Sequence, residues 1–293
     1  MSRSFVVLVN PASAGGRALQ ALPRVEAELE RLGAPYRTVE TSSIDHAATT
    51  AEEATAAGET VAAMGGDGLL RPLAGVLSGG ESAVALIPCG RGNDFARVLG
   101  VPKDPVEAAR IAVQGEERLV DVASVDGVPF VGIASFGFDS DANRIANEAR
   151  LIKGKLVYLY AALRALVAWK PARFTVDVDG TRHRFAGYTV AVGNSKAYGG
   201  GMFLLPQAEL DDGRLDVLLV LHTGKLRFLQ CMPKVFKGAH VDLPYTVFLK
   251  GSEVRVDADR PFDIYADGDP IGRTPATITV SARVLRVIVP AAS

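Results

Sequence analysis

The residues best suited to chemistry form a glycine-rich loop directly after an apolar strand. Gly65-Gly66-Asp67-Gly68 follows the apolar run 60–64 and precedes a segment with helical spacing. Glycines let backbone N–H groups crowd around an anion, and the start of a following helix adds partial positive charge. The carboxylate of Asp67 suits Mg²⁺ or its waters rather than phosphate itself. The loop therefore predicts a phosphate and metal site, although a turn with Asp67 as a helix N-cap would have the same sequence.

Two further loops occupy equivalent places in the chain. Residues 90–97, GRGNDFAR, follow the apolar run 83–87 and open another helix, and Asn10-Pro11-Ala12-Ser13 follows the run 5–9. Neither loop is a Walker A sequence, and no GxGxxG fingerprint is present. Either loop alone could be a capping turn. Since the carboxyl ends of neighbouring parallel strands meet at one crevice, the three loops together predict a single ligand site.

The first part of the chain, residues 1 to about 123, alternates strand and helix patterns. Such alternation with short connections predicts a mainly parallel sheet covered on both faces. The predicted strands are 5–9, 36–40, 60–64 and 83–87, and the predicted helices are 17–32, 45–57, 69–77 and 95–99.

The pattern changes after about residue 120, where short strands separated by Asp-Gly turns dominate. This pattern predicts an antiparallel β-sandwich over residues 124–283, with helical inserts near 140–169 and 224–237. The last apolar run, 284–289, could return to the first domain, so that about 284–293 would belong with residues 1–123. The other predicted strands are 128–133, 174–178, 184–192, 215–221, 253–256, 262–266 and 277–280.

Composition and charge exclude several classes of protein. The 293 residues are 48% hydrophobic and 22% charged, which is typical of a folded globular chain and not of a disordered one. A net charge of −1 gives no global basic field for nucleic acid. Cys89 and Cys231 show no zinc or disulfide spacing. No signal peptide or membrane span is evident, which favours a cytoplasmic protein that visits a membrane surface.

The three loops together resemble the diacylglycerol kinase catalytic family, which includes soluble bacterial diacylglycerol and related lipid kinases and the sphingosine kinases. The resemblance extends over nearly the whole chain and implies an N-terminal α/β nucleotide-binding domain with a C-terminal β-sandwich. It also implies ATP- and Mg²⁺-dependent phosphorylation of a lipid hydroxyl in the cleft between them. The motifs that carry it are Val9-Asn10-Pro11 with Ser13, the 65–68 loop, residues 92–97, Asn194 with residues 198–201, residues 208–217 and Asp267-Gly268-Asp269.

The resemblance also implies roles for single residues. Asp269 would be the general base, and Asp67 and Asp94 would be further catalytic residues. A structural metal would bind the Asp212 side chain and the carbonyls of Glu209 and Arg214, although this segment could equally be a plain Asp-Gly turn. The implied ATP-binding residues are Asn10, Pro11, Ser13, Thr41, Gly65, Gly66, Asp67, Gly68, Arg91 and Asn93, and the implied Mg²⁺-organising residues are Asp67, Asp94 and Asp121.

Several positions depart from the family pattern. Leu69 stands where a Thr is usual, Arg71-Pro72 replace Asn-Glu, Arg91 replaces a Thr, and Asp269 replaces a Glu. These changes keep two alternatives open: an enzyme like NAD kinase, whose glycine loop is related, and a nucleotide- or lipid-binding protein that has lost catalysis. The residues do not identify the lipid, and they leave a homodimer open.

A basic amphipathic stretch spans residues 144–170. Lys153 and Lys155 lie among apolar residues that include Leu159 and Trp169. Such a segment could lie on anionic lipid at the membrane surface. A helix packed on the core with a solvated charged face would have the same pattern.

Overall fold

Four strands near the N-terminus form a parallel sheet. Phe5–Val9 (β1) pairs in parallel with Tyr36–Glu40 (β2) and Thr60–Gly65 (β3), and β3 pairs in parallel with Ala83–Pro88 (β4). β1, β3 and β4 are buried along their whole length. Strands covered on both faces read as continuous apolar runs, which is why the sequence predicted them. The structure is a computed structural model that describes residues 3–148 and 156–291.

Five helices accompany this sheet. The four predicted helices are confirmed to within two residues at either end, and a fifth, at 105–114, was not anticipated. Two have clear start signals: the Ser43 side chain accepts a hydrogen bond from His46 N, and the Asp104 side chain accepts from Val106 N. The helices are Arg17–Arg31 (α1), Ile44–Ala56 (α2), Asp67–Leu77 (α3), Asp94–Val98 (α4) and Pro105–Gln114 (α5).

The remainder of the chain is mostly antiparallel sheet. The predicted strand 128–133 is two strands, because Val131 and Gly132 leave the sheet between them. The predicted strands 277–280 and 284–289 are one long strand. The strands are Glu116–Val125 (β5), Val128–Phe130 (β6), Ile133–Gly137 (β7), Ala172–Val178 (β8), Thr181–Gly193 (β9), Leu215–Leu221 (β10), Thr246–Gly251 (β11), Glu253–Ala258 (β12), Asp263–Ala266 (β13), Asp269–Arg273 (β14) and Ala276–Val289 (β15).

The long strand β15 joins the two halves of the molecule. Its first part pairs antiparallel with β12, and its last part pairs in parallel with β4 through Arg286 and Ala83. Antiparallel pairing with β5 accompanies it throughout, interrupted by an irregularity between Ser281 and Leu285. The sheet is therefore continuous, in the order β14-β13-β7-β9-β8-β12-β15-β4-β3-β1-β2.

Three helices cover the antiparallel part: Phe138–Glu148 (α6), Leu156–Ala168 (α7) and Lys225–Val235 (α8). They pack on an aromatic cluster in which Tyr188 stacks on Phe228, with ring centroids 4.0 Å apart. Among residues 3–148 and 156–291, no helix is long and apolar enough to cross a membrane. Lys153 and Lys155 of the basic amphipathic stretch lie outside the described residues.

Candidate active site

The two glycine loops meet at the carboxyl ends of β3 and β4. The N–H groups of Cys89 and Gly90 both donate to the carbonyl of Gly65, at 2.8 and 3.0 Å. A Cβ added to Gly90 would lie 2.5 Å from the Cα of Gly66, closer than real side chains approach a backbone. Glycine is therefore required at position 90 by the close approach of the two loops. The sequence prediction that these loops share one crevice is consistent with this contact.

Asp67 links the two loops through its side chain. Its carboxylate accepts hydrogen bonds from Asp94 N at 3.1 Å and from Phe95 N at 3.2 Å. Burial raises the pKa of Asp67, and the negative charge of Asp94 adds to this effect, while the two backbone N–H groups oppose it. Asp67 is thus both the first residue of α3 and a cap for the start of α4.

Asp94 connects the loop to the second half of the molecule. One carboxylate oxygen pairs with Arg97, and the other accepts a hydrogen bond from Gly200 N at 2.6 Å. Gly200 has a φ of 84°, a backbone conformation that glycine adopts without strain. The glycine run at 199–201 therefore lets the backbone turn its N–H toward Asp94.

The chemistry of these carboxylates fits a magnesium ion. A Cβ added to Gly92 would lie 3.1 Å from Asp67 Oδ2 and 3.2 Å from Asp94 Oδ2, so both oxygens face the same glycine. These two oxygens each accept one N–H and keep a lone pair, while the Arg97 guanidinium pairs with the other oxygen of Asp94. Mg²⁺ is bound in proteins by one or two carboxylates together with water. Asp67 and Asp94 are the residues that would hold it.

The residues predicted to bind nucleotide occupy the same edge of the sheet. The side chains of several of them form hydrogen bonds within the protein. Asn10 Oδ1 accepts a hydrogen bond from Ala12 N at 3.0 Å, which shapes the turn after β1. The hydroxyl of Thr41 donates to Val9 O at 3.1 Å. The amide of Asn93 bonds both backbone groups of Gly90, at 2.9 and 3.0 Å.

The others differ in exposure. The side chain of Arg91 is exposed, and Pro11 is half-buried, whereas Ser13 is 8% exposed. The side chains of Asn10, Thr41 and Asn93 thus shape the loops, and a direct contact with ATP stays a prediction for each of the six residues.

Asp269 lies where the second half of the molecule meets the start of α3. A Cβ added to Gly68 would lie 3.5 Å from Asp269 Oδ2. The same oxygen lies 3.8 Å from Arg71 Nη2, and the Asp269 side chain is 46% exposed. Among the described residues, no hydrogen bond to the Asp269 carboxylate is found. The partly exposed carboxylate therefore lies beside the 65–68 loop, with Arg71 as its ion-pair neighbour.

Asp267, two residues earlier, forms hydrogen bonds to the backbone of another segment. Its carboxylate accepts hydrogen bonds from Val131 N at 3.0 Å and from Gly132 N at 2.9 Å. The pKa of Asp267 is raised to about 7. Burial is the largest cause and the Asp67 carboxylate adds to it, while the two N–H groups and Arg71 oppose the increase. Asp267 thus anchors the β13–β14 turn and so fixes where Asp269 points.

Asp121 is not grouped with Asp67 and Asp94. It is fully buried on β5, where its carboxylate accepts from Gly213 N and from Arg283 N, both at 2.7 Å. Its carbonyl accepts from Asn194 Nδ2 at 2.8 Å. Within the part of the chain that the structure describes, no three His, Cys, Asp or Glu side chains form a group that could hold a metal ion. A role for Asp121 in organising Mg²⁺ together with Asp67 and Asp94 therefore stays a prediction.

The segment predicted to hold a structural metal is occupied by a lysine. Lys250 Nζ lies 2.5 Å from Asp212 Oδ2 and 3.7 Å from Asp216 Oδ2, while Asp212 Oδ1 accepts from Arg214 N at 3.0 Å. The ammonium group already supplies the positive charge that a metal ion would bring. A metal at Asp212 and the carbonyls of Glu209 and Arg214 would need Lys250 to leave Asp212, and this site stays a prediction.

Sequence reasoning missed three of these contacts. Asp267, Lys250 and Gly200 each act on residues distant in sequence, so no local pattern reveals their partners. Arg71 departs from the family pattern, but its position beside Asp269 cannot be read from the sequence. The only local signal was the recurrence of Asp before Gly, which indicates turns rather than long-range bonds.

Comparison with known proteins decides the family. The sequence profile of the diacylglycerol kinase catalytic domain matches residues 4–125, and that of the YegS C-terminal NAD kinase beta sandwich-like domain matches residues 132–289. A diacylglycerol kinase of Mycobacterium tuberculosis is 34% identical over 291 residues, which cover 97% of this chain and 94% of that protein. The chain belongs to the diacylglycerol kinase catalytic family. It is a kinase with an N-terminal α/β domain and a C-terminal antiparallel β-sandwich-like domain.

A further relative and a solved structure are also similar to this chain. A protein of Pseudomonas aeruginosa named "Probable lipid kinase YegS-like" is 31% identical over 246 residues, with 83% of this chain and 80% of that protein covered. A crystal structure of a diacylglycerol kinase from Bacillus anthracis superimposes with a TM-score of 0.77 at 22% identity, covering 98% of this chain and 97% of that one. At that identity the structural likeness shows the shared fold.

Proposed function

We propose that the chain transfers the γ-phosphate of ATP, with Mg²⁺, to the hydroxyl of diacylglycerol or a related lipid. The observation that carries the proposal is the position of Asp269. Its carboxylate reaches from the C-terminal domain to the start of α3, beside the glycine loop. A proton acceptor next to a backbone suited to phosphate is what transfer to an alcohol requires.

The phosphates of ATP would lie against the 65–68 loop. The eleven-residue helix α3 starts in this loop, so its free N–H groups and partial positive charge face the same space. Arg91, exposed on the neighbouring loop, would supply a guanidinium in place of the hydroxyl that the family usually has there. Bound Mg²⁺, held by Asp67 and Asp94, would offset the charge that develops on the phosphate oxygens.

The acceptor hydroxyl would be activated by Asp269. The carboxylate takes the hydroxyl proton while the oxygen bonds to the γ-phosphorus, and the bond from that phosphorus to the bridging oxygen breaks to release ADP. Asp269 is one methylene shorter than the usual Glu, and Arg71 replaces the usual Asn. The two replacements meet at 3.8 Å, which suggests that Arg71 orients the shorter side chain.

A lipid acceptor places the reaction at a membrane surface, so we propose peripheral membrane association of an otherwise cytoplasmic protein. The net charge of −1 supports no nucleic-acid partner. A homodimer stays a prediction.

The proposal is tested by incubating the protein with [γ-³²P]ATP, Mg²⁺ and a panel of lipid alcohols in mixed micelles, with NAD as a further acceptor. The expected result is label in a phosphorylated lipid, abolished when Mg²⁺ is removed. Label in NAD instead would identify an NAD kinase-like enzyme. ATP binding without transfer to any acceptor would identify a nucleotide-binding protein that has lost catalysis.

A further inference from the structure

The exposed faces of α7 and α8 carry apolar side chains that the proposed reaction leaves unexplained. Val167 on α7 is 80% exposed and Leu226 on α8 is 70% exposed. Large apolar groups at this exposure mark an interaction site when they cluster. We call this region the α7–α8 surface, and its apolar members are Leu163, Val167, Leu226, Leu229 and Phe236.

The two helices present these residues side by side. Lys225 Nζ, at the start of α8, donates a hydrogen bond to the carbonyl of Val167 at 2.8 Å. Beneath them, Trp169 and Phe228 both pack edge-to-face on Phe138, with ring centroids 5.8 and 4.9 Å away. The end of α7 and the start of α8 therefore pack on the same buried ring, which places their exposed residues on neighbouring parts of the surface.

Helical spacing puts the apolar residues of each helix on its outer face. Leu226, Leu229 and Phe236 are three and seven positions apart along α8, so they line one side of it. The opposite side is buried through Phe228 and Cys231. The exposed stripe is thus held by a packed helix and is not the edge of a loose segment.

The two segments that carry this patch are strongly basic. Residues 156–170 and 224–238 contain six Lys or Arg and no Asp or Glu. Among the described residues, no ion pair joins any of the six to a carboxylate. Unpaired cations around exposed apolar groups match the interface of an anionic bilayer, where apolar groups enter the lipid and the cations meet the headgroups. The six are Arg164, Lys170, Lys225, Arg227, Lys234 and Lys237.

We propose that the α7–α8 surface docks the protein on an anionic lipid bilayer. The inference deepens the proposed function and rests on it, because a lipid acceptor must be drawn from a membrane. Charge decides the occupant: a second copy of this chain would bring the same six cations against themselves, whereas anionic headgroups neutralise them.

Vesicle co-sedimentation at low salt tests the proposal. The probes are vesicles of phosphatidylcholine with about one-third phosphatidylglycerol, and vesicles of phosphatidylcholine alone. One variant combines Val167→Gln with Leu226→Gln, and another combines Lys234→Glu with Lys237→Glu. Each basic residue near an anionic surface contributes about fivefold to binding, so the charge variant should lose at least about 25-fold. The apolar variant should lose at least about tenfold on the same vesicles.

A matched control combines Ile44→Gln and Lys103→Glu, which are exposed residues of the N-terminal domain. This control should bind like the wild type, and the wild type should bind anionic vesicles far better than neutral ones. Equal binding by all variants, or equal binding to neutral vesicles, would overturn the proposal. So would a dimer in lipid-free solution that Val167→Gln/Leu226→Gln dissociates, because the surface would then be a protein interface.

Failure of docking can be told apart from failure of the proposed kinase activity. Phosphorylation of a short-chain, monomeric diacylglycerol needs no bilayer, so all variants should retain it. Activity on that acceptor without vesicle binding would reject the docking surface alone. Vesicle binding that the variants weaken, without activity on any acceptor, would reject the kinase function alone.

Discussion

Asp269 in the cleft and Asp121 at the junction of the two domains are the same residue type in opposite situations. Asp269 is 46% exposed and has one ion-pair neighbour at 3.8 Å. Asp121 is fully buried, and its N–H, its carbonyl and both carboxylate oxygens are hydrogen-bonded at 2.7–2.8 Å. The carboxylate of Asp269 is partly exposed, whereas that of Asp121 is fully used in hydrogen bonds within the protein.

The position of Asp121 in the sheet explains why it is fully hydrogen-bonded. It lies on β5 opposite the irregularity in β15. There the N–H of Arg283 donates to the Asp121 carboxylate instead of to a backbone carbonyl of β5. Its second oxygen holds Gly213 N in the 208–217 segment. Asp121 therefore ties together β5, β15 and the C-terminal domain. Complete burial and full hydrogen bonding distinguish Asp121 from Asp269, and neither property can be read from the sequence.

The largest expected effect is on catalysis at Asp269. Asp269→Asn keeps the shape but cannot take the proton, so kcat on the identified lipid should fall by about 10²–10⁴-fold. ATP affinity, measured by calorimetry, should change little. The matched control is Asp263→Asn, a half-buried carboxylate on the neighbouring strand β13 that pairs with Arg273. Near-normal kcat for Asp269→Asn would remove this residue from the mechanism.

The next effect is on stability at Asp121. Asp121→Asn leaves a buried N–H without a proper acceptor, which costs about 1–3 kcal/mol of the free energy of unfolding. Urea denaturation measures this loss. The kcat of the folded variant and its dependence on Mg²⁺ should stay close to those of the wild type. A greatly increased Mg²⁺ requirement with unchanged stability would place Asp121 at the metal site and abolish the contrast with Asp269.

A smaller effect is expected at Arg71, which we take to orient Asp269. Arg71→Gln should lower kcat by about tenfold, because a modest error in the position of a catalytic group is costly. Arg71→Lys keeps a charge on the same helix and should recover part of the rate. A change in ATP affinity with unaltered kcat would instead assign Arg71 to the nucleotide.

The smallest effect is on the pH dependence of stability at Asp267. Its pKa is raised by burial from 3.8 to about 7 in the folded protein, so the native state holds the proton more tightly than the unfolded chain. This contribution is complete below pH 3.8 and is lost as the pH rises through about 7. Denaturant midpoints between pH 5 and 8 should fall less steeply for Asp267→Asn than for the wild type. An identical slope in both proteins would contradict the raised pKa.

Much of the α/β domain was predictable, because its strands and loops leave signals in short stretches of sequence. Buried parallel strands produce continuous apolar runs, and the contact between Gly66 and Gly90 leaves two glycine-rich loops in the sequence. β5 escaped prediction because it opens with Glu116-Glu117-Arg118, whose side chains are exposed. β14 escaped because Pro270 and Gly272 are poor strand formers.

The site was predictable only in part. Asp67, Asp94 and Asp269 stand in recognisable motifs, and the structure brings each to the edge of the sheet where the loops meet. The partners of Asp121 and Asp212 could not be predicted, since Arg283 and Lys250 are distant in sequence and meet them only after the domains assemble.

The most direct test of the central claim compares two products in one reaction. With saturating ATP, Mg²⁺ and the preferred lipid, ADP release and phospholipid formation are measured together for the wild type and for Asp269→Asn. Transfer to the lipid hydroxyl predicts about one phospholipid per ADP in the wild type, and a loss of phospholipid in the variant that exceeds any loss of ATP binding. ADP release without phospholipid in the wild type, or equal phospholipid formation by both proteins, would contradict it.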